Sequence, residues 1–183
     1  MGQLIWLWLE DDIAKEKIIA ELIYSIIGKD NIIIFKHEDP FLKFIKKQVD
    51  ENKFDNFGII SKIMLPNRPF AIQPPNFFVE GGKGAYHKTR ENGHDIGLII
   101  YEKIIIPLFR IKKLKLPPTI FLSTISLDSA YTNIKKRLEN INLKWELSNN
   151  SEYGKGILFV NKWNVGLKKE EIEKELKNFL ENL

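Results

Sequence analysis

Short apolar runs separated by stretches of helical period limit the fold of this chain more than any other feature. Leu4-Ile5-Trp6-Leu7-Trp8-Leu9, Asn31 to Phe35, Gly58 to about Lys62, Thr119 to Ser123 and Ile157-Leu158-Phe159-Val160 each have the length of a single strand. Apolar runs without alternation belong to strands covered on both faces, and strands that alternate with helices build a parallel sheet between two helical layers. The expectation is therefore an α/β protein with a doubly wound, five-stranded parallel sheet in a three-layer sandwich.

The intervening segments supply the helices. One starts at about Asp12, carries Ile19, Leu22, Ile23, Ile26 and Ile27 on one face, and stops at Gly28. Asp39-Pro40 reads as an N-cap and first helical residue, with Phe41, Phe44, Ile45 and Val49 continuing the stripe. A third helix begins near Asp95 and runs through Ile106, where Pro107 should kink or end it. Leu127, Ala130, Tyr131, Ile134, Leu138 and Ile141 mark a fourth, and Lys168 to Leu183 a fifth with Ile172, Leu176, Phe179 and Leu180 inward. Leu143 to Gly156 reads either as loop or as a short extra strand.

The pattern breaks between Asn67 and Gly93, where Pro69, Pro74, Pro75 and Gly81-Gly82-Lys83-Gly84 interrupt any period. This stretch reads as an insertion after the third strand. No linker or repeat divides the chain, so residues 1–183 are taken as one domain.

Composition removes several classes of function. There is no cysteine, hence no disulfide, thiolate nucleophile or zinc-thiolate centre, and a reducing compartment, the cytoplasm, is expected. The apolar run Leu4 to Leu9 is too short to span a bilayer and lacks the basic flank of a signal peptide, so no membrane association is expected. Net charge is 28 − 24 = +4, and only four of the 28 cations are Arg, a balance that argues against a sequence-reading nucleic-acid surface.

In an open parallel sheet, ligands bind beyond the carboxyl ends of the strands. Those ends carry Glu10-Asp11-Asp12 after the first strand, Lys62 after the third, Ser123-Thr124 after the fourth and Asn161-Lys162 after the fifth. Each has an ordinary explanation: acids complement a helix N-terminus, and Ser or Thr caps the next helix. Carboxylates, a hydroxyl and two ammonium groups on one rim are harder to explain separately.

These residues carry a resemblance to the receiver domains of bacterial two-component response regulators. Leu7-Trp8-Leu9-Glu10-Asp11-Asp12 is similar to the family's first strand with its terminal acidic pair. Ile59-Ile60-Ser61-Lys62-Ile63-Met64-Leu65-Pro66 resembles the segment with the phosphorylated aspartate four residues before a proline. Pro118-Thr119-Ile120-Phe121-Leu122-Ser123 resembles the fourth strand with its switch hydroxyl, and Val160-Asn161-Lys162 the fifth with its lysine. The resemblance covers nearly the whole chain and implies a flavodoxin-like fold. It also implies Glu10 and Asp11 as magnesium ligands, Ser123 as the switch hydroxyl and Lys162 as the phosphate-pairing cation.

The departure from the family lies at the acceptor itself. Four residues before Pro66 stands Lys62, whose amine cannot form an acyl phosphate, and Trp163 stands where a proline usually follows the lysine. Two adjacent carboxylates repel unless a cation lies between them. The expectation is that the Lys62 ammonium takes the place of magnesium beside Glu10 and Asp11, so that no cofactor is required.

The resulting expectation is a receiver-like protein without a phosphoacceptor that acts in signal transduction by protein contact and without turnover. Its partner would be a sensor kinase or a downstream effector. The family's contact face would draw on Tyr131, Lys135, Trp163 and the last helix. The insertion would form a lid over the pocket, with Lys83, His87 and His94 as its polar groups; Gly81-Gly82-Lys83-Gly84 lacks phosphate-loop spacing. Two alternatives remain at this stage. One is a metal-dependent phosphodiesterase or nuclease using Glu10, Asp11 and Asp12 with His87 or His94. The other is weak nucleic-acid binding through Arg110-Ile111-Lys112-Lys113-Leu114-Lys115.

Overall fold

The computed structural model describes residues 4–51, 53, 57–63, 96–124, 136–141, 156–162 and 168–183. Five strands, β1 (Ile5–Leu9), β2 (Ile32–Phe35), β3 (Phe57–Lys62), β4 (Thr119–Ser123) and β5 (Ile157–Asn161), form one sheet in the order β2-β1-β3-β4-β5. Every neighbouring pair is parallel. This is a flavodoxin-like arrangement, and the chain reverses its winding beside β1 and β3. Residues 64–95 separate β3 from the next helix, so the segment read as an insertion, with Lys83, His87 and His94, lies outside the described residues. Among the described residues, no helix is long and apolar enough to cross a membrane.

Strand alternation divides the core between the two faces. Trp6, Trp8, Ile60, Ile120, Leu122 and Val160 pack under α1 (Lys17–Ile27) and the C-terminal helix Lys169–Glu181. Leu7, Leu9, Ile59 and Phe121 face the other way, under α2 (Glu38–Asp50) and the helical run that starts at Ile96. Each helix contributes a narrow stripe: Ile19, Leu22 and Ile23 in α1, Phe41, Ile45 and Val49 in α2, and Ile172, Leu176 and Phe179 in the C-terminal helix are buried. Gly58 leaves room for the Trp6 indole, which a Cβ there would meet at 2.6 Å.

Three helix boundaries differ from the reading of the sequence. Residues 13–16 form turns held by Lys15 N–H to Asp12 O and Glu16 N–H to Ile13 O, and α1 starts only at Lys17. The second helix begins at Glu38 after His37, which places Asp39 and Pro40 inside its first turn. Proline is accepted there because the first-turn N–H groups have no intrahelical acceptor. The third helical run also passes Pro107: α3 (Ile96–Ile100) widens into a π turn, Tyr101–Ile105, and α4 (Ile106–Ile111) follows with Pro107 in its first turn. Ile106 N–H bonds to Tyr101 O, so the widened turn absorbs the missing proline donor and the helix neither ends nor breaks.

Residues 136–141 are helical, with Leu138 and Ile141 buried on the α2 side, and the C-terminal helix is α5 (Lys169–Glu181). Leu127, Ala130, Tyr131, Ile134, Lys135, Trp163 and residues 143–155 lie outside the described residues.

Candidate functional site

Parallel pairing of β1 with β3 places Leu9 opposite Ser61. Glu10 and Lys62 are the next step along each strand, and alternation turns both side chains to the α1 face together with Trp8 and Ile60. The Lys62 ammonium lies 2.8 Å from Glu10 Oε1 and 2.7 Å from Asp11 Oδ1, donating to both carboxylates. Lys162, one residue past β5, reaches the same place from the other side and lies 3.5 Å from Glu10 Oε2. Glu10 is fully buried, and the side chains of Lys62, Asp11 and Lys162 are 16%, 17% and 4% exposed.

A fifth member, Glu16, completes the cluster. Its carboxylate accepts from Lys162 and lies 3.9 Å from the Lys62 ammonium. Glu16 is also the residue just before α1, where its side chain makes no cap bond to the backbone. The strand-end reading of the sequence does not include it, because an acid ahead of a helix looks the same whether it complements the dipole or pairs with a distant lysine. Three carboxylates and two ammonium groups give a formal charge of −3 + 2 = −1.

Asp12 turns away from this cluster. Its carboxylate pairs with Lys15 at 2.7 Å, and its backbone N–H donates to Glu10 Oε1 at 3.3 Å. Ser123 is buried at the end of β4, opposite Asn161 of β5 in the ladder. Four of the five pocket residues read from the strand ends, Glu10, Asp11, Lys62 and Lys162, thus lie together.

The two carboxyls are pushed in opposite directions. Burial raises Glu10 above its ordinary value, against the pull of Lys162 and Lys62. Burial works in the same sense on Asp11 and is the largest single influence, yet the hydrogen bonds with Lys62 and Glu10 and the Lys62 charge together outweigh it and hold Asp11 below its ordinary value. For Lys62, burial favours the neutral amine, but hydrogen bonds to Asp11 and Glu10 prevail and raise its pKa. A split pair of carboxyls is the pattern of an acid and a base at work. Here Glu10 Oε1, Glu10 Oε2 and Asp11 Oδ1 each already face an ammonium donor.

The donor set is also poor for a divalent ion. Hard cations need several free oxygens, and an ion bound between Glu10 and Asp11 would have to expel an ammonium held at hydrogen-bond distance from both. Among the described residues no group of three or more His, Cys, Asp or Glu side chains is arranged to hold a metal. At about 4 Å and an effective dielectric near 20, one such ion pair is worth roughly 4 kcal/mol before desolvation is subtracted.

The backbone beneath Lys62 is held closely. Gly97 N–H donates to Ile63 O at 3.0 Å, and a Cβ on Gly97 would lie 2.1 Å from Lys62 O and 2.9 Å from Ser61 Oγ. The first turn of α3 therefore rests directly on the end of β3, and only glycine permits that approach.

No family model matches the chain, and no curated protein or solved structure matches it.

Proposed function

We propose that this chain is a cytoplasmic, receiver-like regulatory protein of the two-component type whose phosphoacceptor is replaced by Lys62, and that it acts by protein contact without turnover. The observation that carries this reading is the Lys62 ammonium at the end of β3, donating to both Glu10 and Asp11. The strand order β2-β1-β3-β4-β5, the acids after β1 and the lysine after β5 support it. Lys62 is held protonated, so its nitrogen has no lone pair to attack a phosphoryl donor. The cation that a receiver takes from solution is here supplied by the chain itself. The rim is then insensitive to magnesium and to phosphoryl donors, and the domain presents one surface to a sensor kinase or downstream effector.

Calorimetric titration with magnesium of the wild type and of Lys62→Asp tests the reading. The wild type is expected to show no binding, and the variant, with a fourth carboxylate in the cluster and one ammonium fewer, to bind the ion. Tight binding by the wild type would overturn the proposal. Capture of partners from native lysate on the two proteins tests the regulatory part: a partner retained by the wild type and lost by Lys62→Asp supports it, and identical partner sets contradict a regulatory role for the pocket.

A further inference from the structure

At the opposite end of the sheet, two stretches of chain gather positive charge. Residues 43–53, on α2 and just past it, hold Lys43, Lys46, Lys47 and Lys53 against Asp50 and Glu51, and residues 110–115, between α4 and β4, hold Arg110, Lys112, Lys113 and Lys115 with no acid. Together they carry 8 − 2 = +6, against +4 for the whole chain. The remainder of the sequence is therefore net negative, 4 − 6 = −2. Asp50 joins the two stretches: it pairs with Lys46 on its own helix and with Lys112 of the turn at 3.5 Å.

Helix C-termini attract cations, which accounts for Lys47 and Arg110 in the last turns of α2 and α4. It does not account for two other features. Lys113 has φ 55°, and its N–H bonds to Arg110 O while Leu114 N–H reaches back to Phe109 O. Glycine normally occupies this left-handed position, and a lysine there bears the Cβ penalty. Ile111, in the middle of these cations, is 65% exposed, more than any other large hydrophobic residue described.

We propose that this face docks an acidic polypeptide segment, its carboxylates pairing with lysines of α2 and of the α4–β4 turn and an apolar side chain packing on Ile111. Asp50 displays the chemistry: one carboxylate already bridges a lysine from each element. A nucleic acid fits less well. Only one of the eight cations is Arg, and neither Phe44 nor Phe109 is exposed for base stacking. A lipid surface fits less well too, since one exposed isoleucine is not an apolar helix face. The surface lies at the other end of the strands from Lys62 and does not depend on the function of that rim.

Fluorescence anisotropy with the full chain at about 0.15 M salt tests the proposal. The probe is a labelled peptide of alternating Asp and Glu with a central Leu; its Leu→Gly analogue, a single-stranded RNA and phosphatidylserine vesicles serve as comparisons. The Leu peptide is expected to bind saturably, about tenfold more weakly to the double variant Lys112→Glu, Lys115→Glu and several-fold more weakly to Ile111→Ser. The Gly analogue should bind the wild type as weakly as the Leu peptide binds Ile111→Ser. All three positions are exposed, and circular dichroism of the variants verifies that they fold. Absence of binding, equal binding by the charge-reversed variant, or tighter binding of RNA or vesicles than of the peptide would each overturn it.

Discussion

Lys62 and Glu10 are separated by 52 residues in sequence and by 2.8 Å in space, one step beyond the Leu9–Ser61 pair of the parallel β1–β3 ladder. The ladder alone brings them together, and the pair ties the two central strands at the end where such folds bind their ligands. With Asp11, Glu16 and Lys162 it forms a largely buried ion cluster whose charges are nearly balanced. Taking one member away leaves the others uncompensated, which makes the cluster accessible to measurement.

Removal of Lys62 is the most direct case. The Lys62→Met protein keeps the aliphatic stem but leaves Glu10 and Asp11 without their shared donor, and it is expected to lose about 3–5 kcal/mol of stability near neutral pH. Its carboxyls, governed by burial, then titrate above their unfolded values, so the folded state binds more protons than the unfolded one and stability falls as pH rises through the carboxylate range. The deficit against wild type should therefore shrink as pH is lowered toward about 4. Urea midpoints of both proteins across this range check the sign; a deficit independent of pH would mean that lost packing, not charge, is responsible.

The wild type should respond at both ends of the pH scale. Asp11 is held below its ordinary 3.8, so its contribution is present above that value and is lost as pH falls through its folded pKa. Lys62 is held above its ordinary 10.5, so its contribution is complete below that value and is lost as pH rises through its folded pKa. Ionised Glu10 works the other way, because burial raises its pKa and its protonation favours the folded state. Chemical denaturation of wild type and Lys62→Met in alkaline buffers isolates the lysine: the alkaline fall should be steeper in the wild type.

Gly97 provides a test of backbone contact free of any charge. An alanine there would place a Cβ 2.1 Å from Lys62 O, and backbone cannot yield as a flexible side chain does. Gly97→Ala should cost about 1–3 kcal/mol or more by overpacking, despite alanine's better helix propensity. Thermal melting measures the loss. A gain in melting temperature would show that α3 does not rest on β3 in this way.

Lys113 should behave in the opposite sense. Its φ of 55° is one that glycine adopts without penalty, so Lys113→Gly is expected to stabilise the protein by about 1 kcal/mol. The same change removes one cation from the basic face and should weaken binding of the acidic peptide. A higher melting temperature together with poorer peptide binding would mark a residue kept for contact at the expense of stability.

Much of the architecture is legible in the sequence because burial leaves a local signature. The runs at Thr119 to Ser123 and Ile157 to Val160 read as strands and lie in β4 and β5, and Phe41, Ile45 and Val49 read as a helical stripe and are buried. Boundaries set by hydrogen bonding are less legible. Pro107 reads as a kink or an end of its helix, and a π turn carries the run past it, while Pro40 lies deeper in its helix than its type suggests. Both outcomes depend on backbone donors and acceptors that residue identity does not reveal.

The sequence by itself determined that a lysine follows the third strand, that acids follow the first, and that both fall where a parallel sheet exposes its carboxyl ends. Tertiary structure decided which of these groups meet. Ladder register brings Glu10 to Lys62, and Glu16 reaches Lys162 across 146 residues. Periodicity records which face of an element is buried, since that preference acts residue by residue. Ion pairing between distant elements depends on strand order and register, which arise only when the whole core closes.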